Sequence, residues 1–114
     1  MQFESETFDD GLLITVTSTR IDASGAIQFK DQMRELTTDG PARVVLNLEQ
    51  VDFVDSSGLG AIVASMKQLA TGQVLELAAL RGPVDKVFRL TRMDTVFTIH
   101  DSVDDVFEGL RQAG

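Results

Sequence analysis

Cysteine is absent from this 114-residue sequence, and histidine occurs once, at His100. Without cysteine there is no disulfide scaffold, no thiolate metal site and no cysteine nucleophile. A lone histidine with no evident catalytic partner is more typical of a surface or packing residue than of a general base. Asp52 and Asp55 lie three residues apart, but no histidine or cysteine accompanies them. The sequence therefore predicts no catalytic residue, no metal and no cofactor of its own.

Positive charge is scarce, with 10 basic against 18 acidic residues and a formal net charge of −8. Affinity for nucleic acid and for anionic membranes comes largely from Lys and Arg, so we expect neither as a direct partner. Four basic residues do fall close together, at Arg81, Lys86, Arg89 and Arg92. A solvated helix face is the favoured interpretation of this group, and a basic docking patch is the alternative.

Long apolar runs are also missing, since no stretch approaches the ~20 residues that cross a bilayer. The first residues are acidic and polar, which is unlike a secretory signal. The length suits one domain, and the 43% apolar content is that of a globular protein. We therefore expect a single cytoplasmic domain over residues 1–114.

The hydrophobic pattern predicts a β-hairpin followed by alternating helices and strands. The hairpin joins an edge strand at residues 3–8 to a strand at 12–17 through Asp9-Asp10-Gly11. The apolar run at 44–48 predicts a central strand covered on both faces, and further strands are expected at 74–80 and 96–99. This order indicates an α/β fold, a mixed β-sheet flanked by α-helices with right-handed crossovers.

Four helices are expected, each with an apolar stripe at helical spacing. The first follows Ile21-Asp22-Ala23-Ser24, with Asp22 or Ser24 as its N-cap, and ends at Asp39-Gly40-Pro41. The second is expected to end at Gly72, and the third to begin at Pro83. The fourth follows a capping-box pattern at Ser102 and Asp105. Their stripes are formed by Ala26, Phe29, Met33 and Leu36, by Leu59, Ile62, Val63, Met66 and Leu69, by Val84, Val87, Phe88 and Thr91, and by Val103, Val106, Phe107 and Leu110.

The run from Val51 to Gly60, VDFVDSSGLG, is the segment with most chemical content. It joins the central strand to the second helix and places hydroxyls beside a carboxylate where that helix begins. Ligands and modifications tend to fall at this edge of α/β sheets. Ser56 or Ser57 could cap the helix, and Gly58 and Gly60 would let the backbone of a partner approach.

Phosphorylation of Ser56 would add about −1.5 to −2 charges beside Asp55. The unpaired amides of a helix N-terminus favour an anion there. A helix cap and a phosphorylation switch are both compatible with the Asp-Ser-Ser run, and the two roles do not exclude each other.

The motif Asp55-Ser56-Ser57-Gly58-Leu59-Gly60 after an apolar strand resembles the signature of the STAS domain. More narrowly, it resembles the bacterial anti-sigma-factor antagonists, whose best-known member acts in the sporulation sigma cascade. The likeness covers nearly the whole chain, because further matching segments lie at Arg20-Ile21-Asp22-Ala23, Val87-Phe88-Arg89-Leu90-Thr91, Met93-Asp94 and Phe97-Thr98-Ile99. One departure is Arg92, which stands where the family commonly has Gly. Another is the absence of the Gly pair that often precedes the strand after Thr71-Gly72.

The resemblance implies a STAS-like fold and a role as a partner in a switch. In such a switch the unphosphorylated antagonist binds an anti-sigma factor that is also a serine kinase, and the sigma factor is released. The kinase uses its own ATP to phosphorylate the antagonist, here at Ser56, and a phosphatase resets it. The resemblance places Asp22, Asp55, Ser57, Gly58 and Leu59 on the partner-binding surface.

Three alternatives remain open. A non-switching STAS subunit of a transporter or signalling scaffold would often lack a phosphorylatable serine after Asp55. A nucleotide-binding module could use Gly58-Leu59-Gly60, although the longer glycine pattern and the P-loop lysine are absent. An enzyme is disfavoured, because Ser-Ser-Gly-Leu-Gly is not the hydrolase elbow Gly-x-Ser-x-Gly.

Overall fold

A computed structural model describes residues 2–8 and 11–106 as seven strands and three helices, with a further helical turn at 103–106. The strands are β1 (Phe3–Phe8), β2 (Gly11–Val16), β3 (Arg20–Ile21), β4 (Arg43–Asn47), β5 (Phe53–Val54), β6 (Val74–Ala78) and β7 (Ile99–His100). The helices are α1 (Ala26–Thr37), α2 (Ser56–Lys67) and α3 (Gly82–Leu90), and a short 3-10 helix spans Met93–Thr95.

The main sheet has five strands in the order β1-β2-β4-β6-β7. β1 pairs antiparallel with β2, and every other neighbouring pair is parallel. The predicted mixed sheet and N-terminal strand pair are therefore confirmed, with β1 at the edge. Asp9 and Asp10 of the predicted turn lie outside the described residues, and Gly11 is the first residue of β2.

β4 is buried on both faces, as the continuous apolar run predicts. On one face, Val44 and Leu46 pack in a large core that includes Phe29 of α1 and Ile62 of α2. On the other face, Val45 joins a smaller cluster of Leu13, Ala78 and Val106. The helical residues 103–106 thus cover the face of the sheet opposite α1 and α2.

The boundaries of α1 and α2 differ from the predicted ones. α1 begins after Gly25, which makes no side-chain cap, so neither Asp22 nor Ser24 caps it. Asp22 instead binds the backbone and hydroxyl of Ser24 within the loop that precedes the helix. α2 ends at Lys67, and Gly72, with φ of 91°, lies in a later turn that leads to β6.

The segment after α3 also departs from the prediction of a strand at 96–99. The chain turns through the 3-10 helix, Phe97 enters the core, and only Ile99 and His100 pair with β6. Arg92 precedes that turn in the left-handed region, with φ of 63°, which favours glycine. That conformation gives a physical reason why glycine would suit this position.

At the start of the last predicted helix, one of the two hydrogen bonds of the predicted capping box is present. The amide of Asp105 donates to the Ser102 hydroxyl at 3.2 Å. Val103 and Val106 pack on the sheet as the stripe requires. Phe107 and Leu110, the remaining members of that stripe, lie outside the described residues.

Candidate functional site

A separate two-stranded ladder leads directly into the Asp-Ser-Ser motif. β3 and β5 run parallel, with Arg20 opposite Phe53 and Ile21 opposite Val54. Ile21 and Val54 point into the core and are buried, so Arg20 and Phe53 face outward. The chain leaves the carboxyl ends of both strands at the same place, which brings Asp22 and Asp55 together. Two-residue strands carry no periodic signal, so the sequence did not indicate this ladder.

Asp55, and neither serine, is the N-cap of α2. Its Oδ1 accepts the amide of Gly58 at 2.8 Å, and its Oδ2 accepts the amide of Ala23 at 3.2 Å. One carboxylate therefore starts the helix and also ties it to the loop after β3. The predicted capping by Ser56 or Ser57 is wrong, because the aspartate one residue earlier already occupies that position.

Gly58 is buried at the crossing of α2 and β3. A Cβ atom added to it would lie 1.9 Å from the carbonyl oxygen of Ile21 and 2.7 Å from the carbonyl carbon. Glycine is needed here because the chain's own backbone comes close, which differs from the predicted approach of a partner's backbone. With its amide bonded to Asp55, Gly58 is an internal support of the site. Gly60, in contrast, faces open space.

Both serines of the motif are exposed, and their hydroxyls make no hydrogen bond within residues 2–8 and 11–106. They occupy the first two positions of α2, where helix amides have no intrahelical acceptor. A negative group here is stabilised by those amides and by the helix dipole. Ser56 is therefore available for modification without loss of a structural hydrogen bond.

Asp22 lies at the rim of the motif in a compact set of polar contacts. Its Oδ1 accepts the hydroxyl of Ser24 at 2.6 Å, and its Oδ2 accepts Nε of Arg20 at 3.2 Å. These two hydrogen bonds, that of Ser24 first, hold the pKa of the Asp22 carboxyl below its usual value. The Asp22 carboxyl is consequently a fixed negative charge at neutral pH.

Arg20 and Phe53 belong to the same surface and were missed as site residues. The guanidinium carbon of Arg20 lies 4.1 Å from the centre of the Phe53 ring, in a cation–π arrangement. Phe53 is 37% exposed although it is a large apolar side chain. The spacing of Arg20 and Asp22 could have indicated a shared strand face, but nothing in the sequence indicates the pairing of Arg20 with Phe53.

The structure thus brings most of the predicted residues into one surface. Asp22 and Asp55 are joined through the amide of Ala23. Ser56 and Ser57 follow, both exposed. Gly58 is buried, and Leu59 is half-buried against the core, so these two support the surface from beneath.

Other candidate residues lie elsewhere. His100 contacts Glu76, its Nε2 lying 2.5 Å from Oε1, and Glu76 also accepts two hydrogen bonds from Arg43. Among the described residues, no group of three His, Asp or Glu side chains could hold a metal ion. The basic residues near α3 are all exposed, and Arg89 pairs with Asp85 and Asp94. Across the described ranges, no helix is long and apolar enough to span a membrane.

Comparison with known families gives a match across most of the chain. The STAS domain profile matches residues 2–106. The chain belongs to the STAS family. One similar protein, described as the anti-sigma factor antagonist BtrV of Bordetella bronchiseptica, is 30% identical over 94 residues that make up 82% of this chain and 81% of BtrV.

Solved structures show the same STAS fold in anti-sigma factor antagonists. One, from Mycobacterium paratuberculosis, has a TM-score of 0.83 at 24% identity and covers 96% of this chain and 93% of its own. The antagonist SpoIIAA in its unphosphorylated form has a TM-score of 0.76 at 20% identity, with 97% of each chain covered. SpoIIAA of Bacillus in its phosphorylated form has a TM-score of 0.69 at 18% identity, covering 94% of this chain and 97% of its own. The predicted α/β STAS fold is confirmed.

Proposed function

We propose that this STAS domain is an anti-sigma-factor antagonist controlled by phosphorylation of Ser56. The unphosphorylated form binds an anti-sigma factor that is also a serine kinase, and a sigma factor is released. The kinase phosphorylates Ser56 and ends the complex, and a phosphatase restores binding. The partner-binding surface consists of Asp22, Asp55, Ser56 and Ser57, with Gly58 and Leu59 holding it in place from beneath.

The observation that carries the proposal is the state of the Ser56 hydroxyl. It is exposed, unbonded within the described residues, and set at a helix N-terminus whose cap is supplied by Asp55. A kinase can reach such a hydroxyl without unfolding the domain. SpoIIAA structures in both forms support the proposal, because a related fold accommodates the phosphate.

Electrostatics gives the size of the expected switch. A phosphate adds about −1.5 to −2 charges beside the carboxylates of Asp55 and Asp22. One pair of like unit charges about 5 Å apart, at an effective dielectric of ~20, repels by about 3 kcal/mol. That energy corresponds to more than a hundredfold in affinity, and salt reduces it at an exposed surface. A partner that places an anion or an apolar surface over Ser56 is therefore released without refolding of the domain.

Phosphate transfer is the first test. The domain is incubated with ATP and a candidate anti-sigma factor of the histidine-kinase-like ATPase class, and the modified residue is located by mass spectrometry. We expect one phosphate on wild type and on Ser57→Ala, and none on Ser56→Ala. Phosphate that persists on Ser56→Ala contradicts the proposed site.

Binding to the same partner is the second test. Ser56→Ala should bind constitutively even with ATP present, and Ser56→Asp should bind at least tenfold more weakly, since Asp carries less charge than a phosphate. Equal affinity of wild type and Ser56→Asp would argue against the electrostatic mechanism. A non-switching scaffold would bind its partner equally before and after phosphorylation.

A further inference from the structure

Arg20 is a cation with unused hydrogen-bond donors at the edge of the proposed phosphorylation site. Its Nε donates to Asp22, and its guanidinium stacks on Phe53. The two terminal Nη groups have no hydrogen-bond acceptor in the part of the chain that the structure describes. The side chain is 57% exposed. The guanidinium is therefore held on one side while its remaining donors face solvent.

The geometry of the ladder places these donors within reach of a group on Ser56. Arg20 lies opposite Phe53, three residues before Ser56. With adjacent strands ~4.8 Å apart and a rise of ~3.3 Å per residue, the Cα atoms of Arg20 and Ser56 are at most ~11 Å apart. An extended Arg side chain spans roughly 7 Å, and a phosphoserine roughly 4 Å, since each bond is about 1.5 Å long. The contact with Asp22, which directly follows β3, directs the Arg20 side chain toward the end of the ladder where Ser56 lies.

A phosphate on Ser56 meets opposing electrostatic influences at this place. The carboxylates of Asp55 and Asp22 oppose a second negative charge on it, as does Asp52, which is exposed just before β5. The first amides of α2 favour that charge. A guanidinium binds phosphate through two parallel hydrogen bonds, and Arg20 has the two Nη groups free for them.

We propose that Arg20 pairs with the phosphate on Ser56 through its Nη groups while Nε stays with Asp22. This pairing rests on the proposed phosphorylation of Ser56 and names the residue that positions the modified side chain. It fixes the phosphate against β3 and holds it as a dianion near neutral pH. The charge difference between the two forms of the protein is then close to its maximum.

The test is a phosphorus NMR titration of the whole chain with phosphoserine incorporated at position 56 during translation. We expect the second pKa of the phosphate in Arg20→Gln to lie roughly 0.3 to 0.7 pH unit above that of the wild type, the shift of one exposed ion pair. Arg20→Lys, which keeps the charge and loses the paired donors, should lie between them. Arg34→Gln removes the same charge from an exposed position at the far end of α1 and should match the wild type.

Equal phosphate pKa values in Arg20→Gln and Arg34→Gln would overturn the pairing. Circular dichroism would identify a folding defect in Arg20→Gln, which we do not expect because Arg20 is exposed. If such a defect occurs, the phosphate pKa of Arg20→Lys compared with that of the wild type still tests the pairing. Because phosphoserine is installed without a kinase, this result is independent of the partner. Failure of the kinase to modify Ser56 would refute the proposed function and leave the pairing measurable.

Discussion

Gly58→Ala is the sharpest test of how the motif is built. The new Cβ would lie 1.9 Å from the Ile21 oxygen, whereas ordinary contact begins at 3.4 Å, so β3 must retreat by about 1.5 Å. That movement breaks the hydrogen bond from Ala23 to Asp55, weakens the cap of α2 and loosens the buried Ile21. A lost hydrogen bond costs about 1 kcal/mol, a lost cap about 1, and an overpacked site about 1–3. We expect a loss of about 3 kcal/mol from a total stability of roughly 5–15 kcal/mol.

Gly60→Ala is the matched control, because its Cβ meets nothing within 4 Å and the residue is exposed in the same helix. We expect it to raise stability by about 0.5–1 kcal/mol through helix propensity. Urea unfolding followed by far-UV circular dichroism suits both variants, since the chain has no Trp or Tyr to report by fluorescence. If Gly58→Ala were as stable as Gly60→Ala, the close crossing of α2 and β3 would be refuted.

Four further variants, at three positions, test individual interactions by urea unfolding. Asp55→Ala should cost about 1–2 kcal/mol, because the cap of α2 is lost, and Asp55→Asn should retain part of it; equal losses would contradict the cap. Arg92→Gly should gain about 0.5–1 kcal/mol by relieving a left-handed backbone, and a loss would show that the Arg92 side chain stabilises the turn. The hydrogen bond from Arg43 is the main reason that the pKa of Glu76 in the folded protein lies below 4.5, its value in the unfolded chain. The ionised Glu76 side chain therefore contributes fully to the free energy of unfolding above pH 4.5, and this contribution disappears as the pH falls through the folded-state pKa. In Glu76→Gln, the free energy of unfolding should fall less steeply as the pH is lowered into the acid range. An unchanged slope would exclude Glu76 as its source.

The order of elements and the core could be predicted from the sequence because they follow hydrophobic periodicity. The apolar run of β4 and the stripe residues Phe29, Ile62 and Phe88 are buried as expected, whereas Thr91, predicted for the same stripe as Phe88, is exposed. The last strand was misplaced because Val96 and Phe97 are both apolar, whereas only Phe97 is buried. Periodicity does not distinguish a strand from a tight turn that inserts one ring into the core.

The motif could be located from the sequence, but its internal roles could not be assigned. Asp and Ser are equally good N-caps, so adjacent Asp55 and Ser56 cannot be ranked without the helix start. The role of Gly58 depends on the Ile21 carbonyl, and that of Arg20 depends on Phe53. Both contacts arise from strand pairing between segments that are distant in the sequence. Such pairing between two-residue strands leaves no pattern in either segment.

The use of Asp55 as the cap has a consequence for signalling. Because the Ser56 hydroxyl bonds to nothing within the described structure, adding or removing a group there breaks no hydrogen bond that holds the domain together. The attraction of a phosphate to the α2 amides and Arg20 and its repulsion by Asp22, Asp52 and Asp55 act in opposite directions, so the two forms should be about equally stable. We expect both forms to resist proteases equally and to persist equally long in the cell. The ratio of phosphorylated to unphosphorylated protein would then depend only on the activities of the kinase and the phosphatase, and not on selective degradation of either form.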